Sequence, residues 1–323
     1  MLDLDDIQTA RRRLRGHVRR TPLIRAEALL QPVPASRLTL KLELLQVTGS
    51  FKARGAVHKV LTLDEPDVAR GLVTASGGNH GLGVAYAGRR AGAPVTIYLP
   101  TNTPPAKAEK LERWGARVVW HGAVWDEADA AARECAARDG LTYVHPFADP
   151  AVLAGQGTIG LEILEDDPDP DILLVAIGGG GLIGGVATAF KALRPATRVI
   201  GVEPTGAPTL FESLRAGRVV ELERISTAAN TLAPRRSAEI NFEIIRRTVD
   251  EIVLVDDQEM RAAARWLWFE LGLAAELSGA AALAALLAGR VHAEGRSVCA
   301  LVCGAGTDGL ATVREHPDGG LLS

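Results

Sequence analysis

Ile172-Leu173-Leu174-Val175-Ala176-Ile177-Gly178-Gly179-Gly180-Gly181-Leu182-Ile183-Gly184-Gly185 is the stretch that decides the fold. It opens the longest uncharged run of the chain, Ile172 to Phe190, long enough on paper to cross a bilayer. Six glycines interrupt that run, so it reads instead as a buried strand, a tight turn and the start of a helix. A membrane span is not expected.

Apolar runs of the same kind recur on both sides, at 38–42, 71–75, 95–99, 117–120, 198–202, 252–255 and 298–302. Helix-like stretches at 81–91, 105–114, 151–164, 182–193 and 258–271 lie between them, and Ile7, Ala10, Leu14 and Val18 are helix-spaced before Thr21-Pro22 breaks the pattern. This alternation predicts an α/β fold of βαβ units, with mostly parallel twisted sheets covered by helices on both faces. At 323 residues the chain has room for two lobes or one large unit.

The 36 basic and 39 acidic side chains leave a net charge of -3, without the basic excess that nucleic-acid phosphates or an anionic membrane surface require. Neither partner is expected. Cys135, Cys299 and Cys303 form no C-x-x-C pair, which fits a reducing cytoplasm, and Asp3, Asp5 and Asp6 ahead of Arg11, Arg12 and Arg13 leave no apolar leader segment. Only six basic residues are lysines, so each one bears inspection.

In doubly wound folds, ligands bind at the carboxyl ends of strands where the strand order reverses, so glycine-rich turns after strands are candidate sites. Four stand out. In Thr48-Gly49-Ser50-Phe51-Lys52-Ala53-Arg54-Gly55, a lysine opens a helix beside an aromatic ring. Desolvation there would free its amine to attack carbonyls; the alternative is a solvated surface lysine. Ser76-Gly77-Gly78-Asn79-His80-Gly81 follows a strand and offers backbone amides to an anion, or is a plain turn with Ser76 as helix cap. Gly178 to Gly181 could cradle a phosphate. The same segment also satisfies G-x-G-x-x-G at Gly179, Gly181 and Gly184 with Glu203 nineteen residues on, the dinucleotide pattern of an NAD-binding oxidoreductase. The fourth is Val302-Cys303-Gly304-Ala305-Gly306, where Cys303 is either a ligand-facing thiol or a small buried hydrophobe.

Taken in order, these segments resemble the threonine dehydratase and serine racemase group of pyridoxal-phosphate enzymes, the tryptophan synthase β-like fold type II. The resemblance runs from about Arg20 to Gly306 and includes Tyr98-Leu99-Pro100 with Lys107, Ala154-Gly155-Gln156-Gly157-Thr158, Gly201-Val202-Glu203-Pro204 and Glu276-Leu277-Ser278-Gly279-Ala280. It implies a larger lobe from residues 1–66 and 150–323 and a smaller one from 67–149 closing over the substrate. It also implies pyridoxal 5'-phosphate bonded to Lys52 beside Phe51, with Asn79 on the cofactor's 3-hydroxyl, Gly178, Gly179, Gly180, Gly181 and Leu182 around its phosphate, and Cys303 at its ring nitrogen. Ser76, Gly77, Gly78, Asn79 and His80 would hold the substrate carboxylate.

The activity so implied is a cytoplasmic dehydratase, a homo-oligomer with a dimer favoured. It would convert L-threonine or L-serine to a 2-oxo acid and ammonia, with Lys52 taking the α-proton. A serine or other amino-acid racemase is the alternative, with Ser76 as the second acid/base, as is a dehydratase of 3-hydroxyaspartate or phenylserine type. Two departures stand out. Glu203, Ala207 and Thr209 occupy positions where relatives hold a divalent cation with two carboxylates, so no metal is expected, and Ala229-Asn230-Thr231 replaces the usual Ala-Asp-Gly. No carboxyl-terminal regulatory module is expected.

Overall fold

The computed structural model of the chain describes residues 2–310. Its strands are β1 (Leu23–Arg25), β2 (Arg37–Leu42), β3 (Leu72–Ala75), β4 (Val95–Leu99), β5 (Arg117–Trp120), β6 (Thr142–Tyr143), β7 (Ile172–Ala176), β8 (Arg198–Pro204), β9 (Glu251–Val255) and β10 (Ser297–Val302). Helices α1 (Leu4–Leu14), α2 (Lys52–Val60), α3 (Glu65–Arg70), α4 (Asn79–Ala91), α5 (Pro105–Arg113) and α6 (Trp125–Asp139) occupy the amino-terminal half. They are followed by α7 (Pro150–Asp166), α8 (Gly181–Leu193), α9 (Thr209–Ala216), α10 (Glu239–Thr248), α11 (Asp257–Leu271) and α12 (Leu277–Leu287).

The strands form two sheets. One has six strands in the order β1-β2-β10-β7-β8-β9, parallel except for the β1 edge; the other has four parallel strands in the order β5-β4-β3-β6. Every residue of β7 and β3 is buried, as expected of strands covered on both faces. The quoted stretch resolves into β7, a glycine turn and α8, and no helix among the described residues is long and apolar enough to cross a membrane.

The first helix is shorter than its apolar spacing suggests. An Asp3–Asp6 capping box starts it and it ends at Leu14, leaving Val18 outside. Strands β1 and β6, with three and two residues, are too short to show alternation.

Helices α2, α7 and α8 pack closely because glycines face one another. A β-carbon on Gly155 would sit 2.7 Å from Gly55 Cα, and one on Gly185 would sit 2.3 Å from Leu153 O. The same three-helix layer buries a charge network. Arg54 donates to both oxygens of Glu43 (2.7 and 2.8 Å) and of Glu162 (2.7 and 2.8 Å), and Lys41 Nζ donates to Glu162 at 2.6 Å. Two cations thus balance two anions, which is what makes buried charge tolerable. The network fixes α2 against β2 and α7, two residues from Lys52.

Candidate active site

Lys52 is the first residue of α2, and the turn ahead of it is stitched to the end of β10. Phe51 N donates to Cys303 O (3.2 Å), Ala305 N to Gly49 O (2.8 Å), and Ser50 bridges to Gly304. Thr48 and Gly49 have left-handed φ of 67° and 85°, which turns the chain sharply into the helix. The Lys52 amine lies 5.2 Å from the Phe51 ring centre and donates to Pro146 O at 2.7 Å. Desolvation lowers its pKa to about 8, opposed by the nearby Cys303 and Glu276. About a tenth of this amine is then unprotonated at pH 7, far more than for a lysine in water.

Two helix N-termini open at the same place. Helix α8 begins at Gly181 after Gly180, whose φ is +90°, and no side chain caps it. A β-carbon on Gly179 would lie 2.3 Å from the Phe147 ring, and one on Gly181 2.8 Å from Phe147 O, so the turn fits only as glycine. Asn241 Nδ2 donates to Gly179 O and Phe147 O (2.5 and 3.1 Å), and Ser237 Oγ donates to Gly179 O (2.9 Å). Because Pro146 and Phe147 are consecutive, the carbonyl that holds the Lys52 amine belongs to the segment that packs on the tetraglycine turn.

Helix α4 is the second, likewise without a side-chain cap, and its N-cap is Gly78. Gly83 lets α4 approach within 3.0 Å of the Lys52 main chain, counted from a β-carbon position. Thr231, in the turn Asn230–Leu232, spans the two glycine segments. Its carbonyl would be 2.9 Å from a β-carbon on Gly178 and its methyl 3.9 Å from one on Gly78. Lys52, the segments Ser76 to His80 and Gly178 to Leu182, and Cys303 are thus brought next to one another. Uncapped N-termini bind anions, so the arrangement suits a ligand with an anionic group at each end and an electrophilic carbon opposite the amine.

The placement of the candidate residues separates several readings that the sequence leaves open. Ser76 is not the helix cap: it lies two residues before the N-cap Gly78, and its Oγ accepts from Gly78 N at 3.3 Å. The His80 ring is 5% exposed, with Nε2 bonded to Val144 O (2.9 Å) and Thr74 Oγ1 (3.1 Å), and desolvation drops its pKa to about 3. Its backbone amide, not its imidazole, is what the loop has to offer. Glu203 cannot meet a ribose, because it is fully buried at 0% exposure and accepts from Leu210 N (2.9 Å) and Phe211 N (2.8 Å) at the start of α9. Both of its oxygens are engaged there. Cys303 is buried, donates to Ser278 O (3.5 Å), and has its pKa raised, chiefly by desolvation, so the thiol stays neutral.

Sequence reasoning missed other parts of the cleft. Glu276 Oε1 accepts from Asn79 Nδ2 at 2.7 Å and from Thr231 Oγ1 at 3.4 Å, and burial pushes its pKa up to about 7. Trp125 Nε1 donates to Ala75 O (2.9 Å), pinning the strand end from which the Ser76 loop departs. Pro146, Phe147 and Asn241 give no local signal; Glu276 belongs to the quoted segment Glu276 to Ala280, which by itself assigns it no role.

A family profile described as pyridoxal-phosphate dependent enzyme matches residues 14–304. The L-threonine ammonia-lyase of Thermotoga maritima is 41% identical over 95% of this chain and 76% of its own length. The catabolic L-threonine dehydratase of Staphylococcus aureus is 38% identical over 98% of this chain and 93% of its own. Among solved structures, maize serine racemase superposes with a TM-score of 0.90 at 33% identity, covering 94% of this chain and 93% of that one.

Proposed function

Because the chain belongs to the pyridoxal-phosphate dependent enzyme family, we propose that it is a hydroxy-amino-acid dehydratase that converts L-threonine or L-serine to a 2-oxo acid and ammonia. The observation that carries the proposal is the Lys52 amine beside two uncapped helix N-termini. The donor set fits the cofactor. A carbonyl-reactive amine faces a turn whose β-carbon positions are blocked by Phe147 and Thr231 and whose amides suit a phosphate. Bound pyridoxal phosphate supplies an aldehyde for that amine and a conjugated ring that delocalises the electron pair left when the substrate loses its Cα proton.

The chain's own residues do the rest. Gly178, Gly179, Gly180, Gly181 and Leu182 would hold the phosphate on the amides of α8. Asn79 Nδ2 would donate to the ring hydroxyl, and Phe51 would back the ring. Cys303, kept neutral by burial, would stand at the ring nitrogen as an uncharged partner. Ser76, Gly77, Gly78 and the amides of Asn79 and His80 orient the substrate carboxylate. Lys52 Nζ takes the Cα proton, and its lowered pKa leaves it basic enough to accept one and neutral enough to be ready.

Dehydration is favoured over racemisation because the identity to the L-threonine ammonia-lyase, 41%, exceeds that to the serine racemase, 33%; Ser76 Oγ accepts from Gly78 N within the loop that would hold the carboxylate. The proposal extends to a lobe of residues 67–149 that closes over the substrate, built on the four-stranded sheet, and to a cytoplasmic homodimer whose mass light scattering would read.

Purified protein should be yellow, borohydride should fix the cofactor on Lys52, and ammonia should appear from L-threonine. The Lys52→Ala variant should lose at least about 100-fold in kcat, the low end for a missing acid/base. Full activity in that variant would remove the assignment. Recovery of D-serine from L-serine faster than pyruvate forms would shift the reading to a racemase.

A further inference from the structure

Glu276 stands at the point where both sides of the cleft meet. Its Oε1 accepts from Asn79 Nδ2 on α4 (2.7 Å) and from Thr231 Oγ1 in the turn at 230–232 (3.4 Å). The backbone around it is shaped to admit it: a β-carbon on Gly304 would lie 2.2 Å from Glu276 Oε1, and one on Gly306 would lie 2.8 Å from Glu276 Cβ. Glu276 N also donates to Gly304 O at 3.2 Å, fixing the residue to the strand end that carries Cys303.

An amide nitrogen has two hydrogens. With one of them taken by Glu276, the plane of the Asn79 side chain is set, and the second hydrogen has a fixed direction. We propose that Glu276 is a positioning residue that acts through Asn79, aiming its free Nδ2 hydrogen at the cofactor ring hydroxyl and making that aim depend on the charge of the carboxyl. This rests on the reading of Asn79 given above.

The groups that face Glu276 are Asn79 from α4, Thr231 from its turn, Lys52 from α2, Cys303 just after β10, Lys107 from α5 and Asp308 from the turn at Asp308–Leu310. Lys107 favours its ionised form; Asp308 and burial oppose it. A carboxylate accepts the Asn79 hydrogen with either oxygen. Protonation converts one oxygen into a donor and loosens the hold.

The test uses the full-length chain, stripped and reloaded with pyridoxal phosphate, in four forms: E276Q, E276A, N79A and N79A/E276A. Cofactor affinity is read by absorbance titration, and the position of the bound-cofactor band is followed from pH 5.5 to 9. E276Q keeps the shape and an acceptor oxygen, so affinity should stay within about threefold while the band loses its pH-dependent shift. E276A should weaken affinity about tenfold, and the double variant should be no worse than N79A, because residues that act in series are not additive.

An additive double variant, or an E276Q protein that keeps the shift, overturns the proposal. Should E276A fail to fold, the E276Q spectrum still decides. If N79A alone leaves affinity and band unchanged, the reading of Asn79 itself has failed; a normal N79A defect with E276A like the parent rejects only the role of Glu276.

Discussion

Replacing Glu203 with glutamine tests whether a carboxyl with no exposed surface is carried into the fold against its charge. Burial raises its pKa from 4.5 to about 8, although the two α9 amides pull the other way. Between those values the folded state holds a proton that the unfolded chain has released, so stability falls as pH rises from about 4.5 to 8. At about 1.4 kcal/mol per pH unit, the 3.5-unit window sets an upper limit of about 5 kcal/mol. Glutamine cannot ionise, but it offers one acceptor oxygen to two N–H groups, a loss of about 1–3 kcal/mol.

The two stability curves should therefore cross. Near pH 5 the Glu203→Gln protein should be equal to the parent or weaker by about 1–3 kcal/mol, and at pH 9 it should be stronger by about 2–4 kcal/mol. Urea midpoints at half-unit pH steps, read by tryptophan fluorescence and by circular dichroism, would show this. Other carboxyls contribute to both curves and cancel in the difference. Parallel curves across pH 5 to 9 would refute the reasoning, because they would mean that Glu203 is as readily ionised in the fold as in water.

Two further substitutions probe the scaffold behind the cleft. Arg54→Leu leaves Glu43 in the interior without a cation and Glu162 with Lys41 alone, and should lower stability by about 3–5 kcal/mol, with weaker cofactor retention because Lys52 is on the same helix; unchanged urea midpoints would count against the network. Gly185→Ala places a methyl 2.3 Å from Leu153 O between α7 and α8, and should cost about 1–3 kcal/mol by overpacking, visible as a lower melting temperature.

How much of this was legible in the sequence depends on whether a feature is local. Four consecutive glycines after a buried strand announced the β7 turn and α8. The rarity of lysine drew attention to Lys52. Helix α12 was not legible, because all its faces are buried and an all-apolar helix has no 3.6-residue period. Helix α6 starts after Val124 without a capping side chain. Ser76 reads locally as a possible cap, whereas the turn runs two residues further, to Gly78. The working state of the carboxyls was also hidden: Glu203 and Glu276 are defined by amides and hydroxyls that arrive from other elements, and no spacing rule reports a tertiary partner.

The free Lys52 amine docks on a main-chain carbonyl. Pro146 O is a main-chain acceptor, so it neither titrates nor rotates away, and the amine has the same berth at every pH. That berth is one peptide unit from Phe147, whose ring closes the space above Gly179. A bulkier side chain in the glycine turn would therefore displace the aromatic ring and, through it, misplace the docking point of an amine it never touches. Damage to the anion cradle should read out as a misaligned base, and a substitution at Phe147 should disturb both ends of the ligand together.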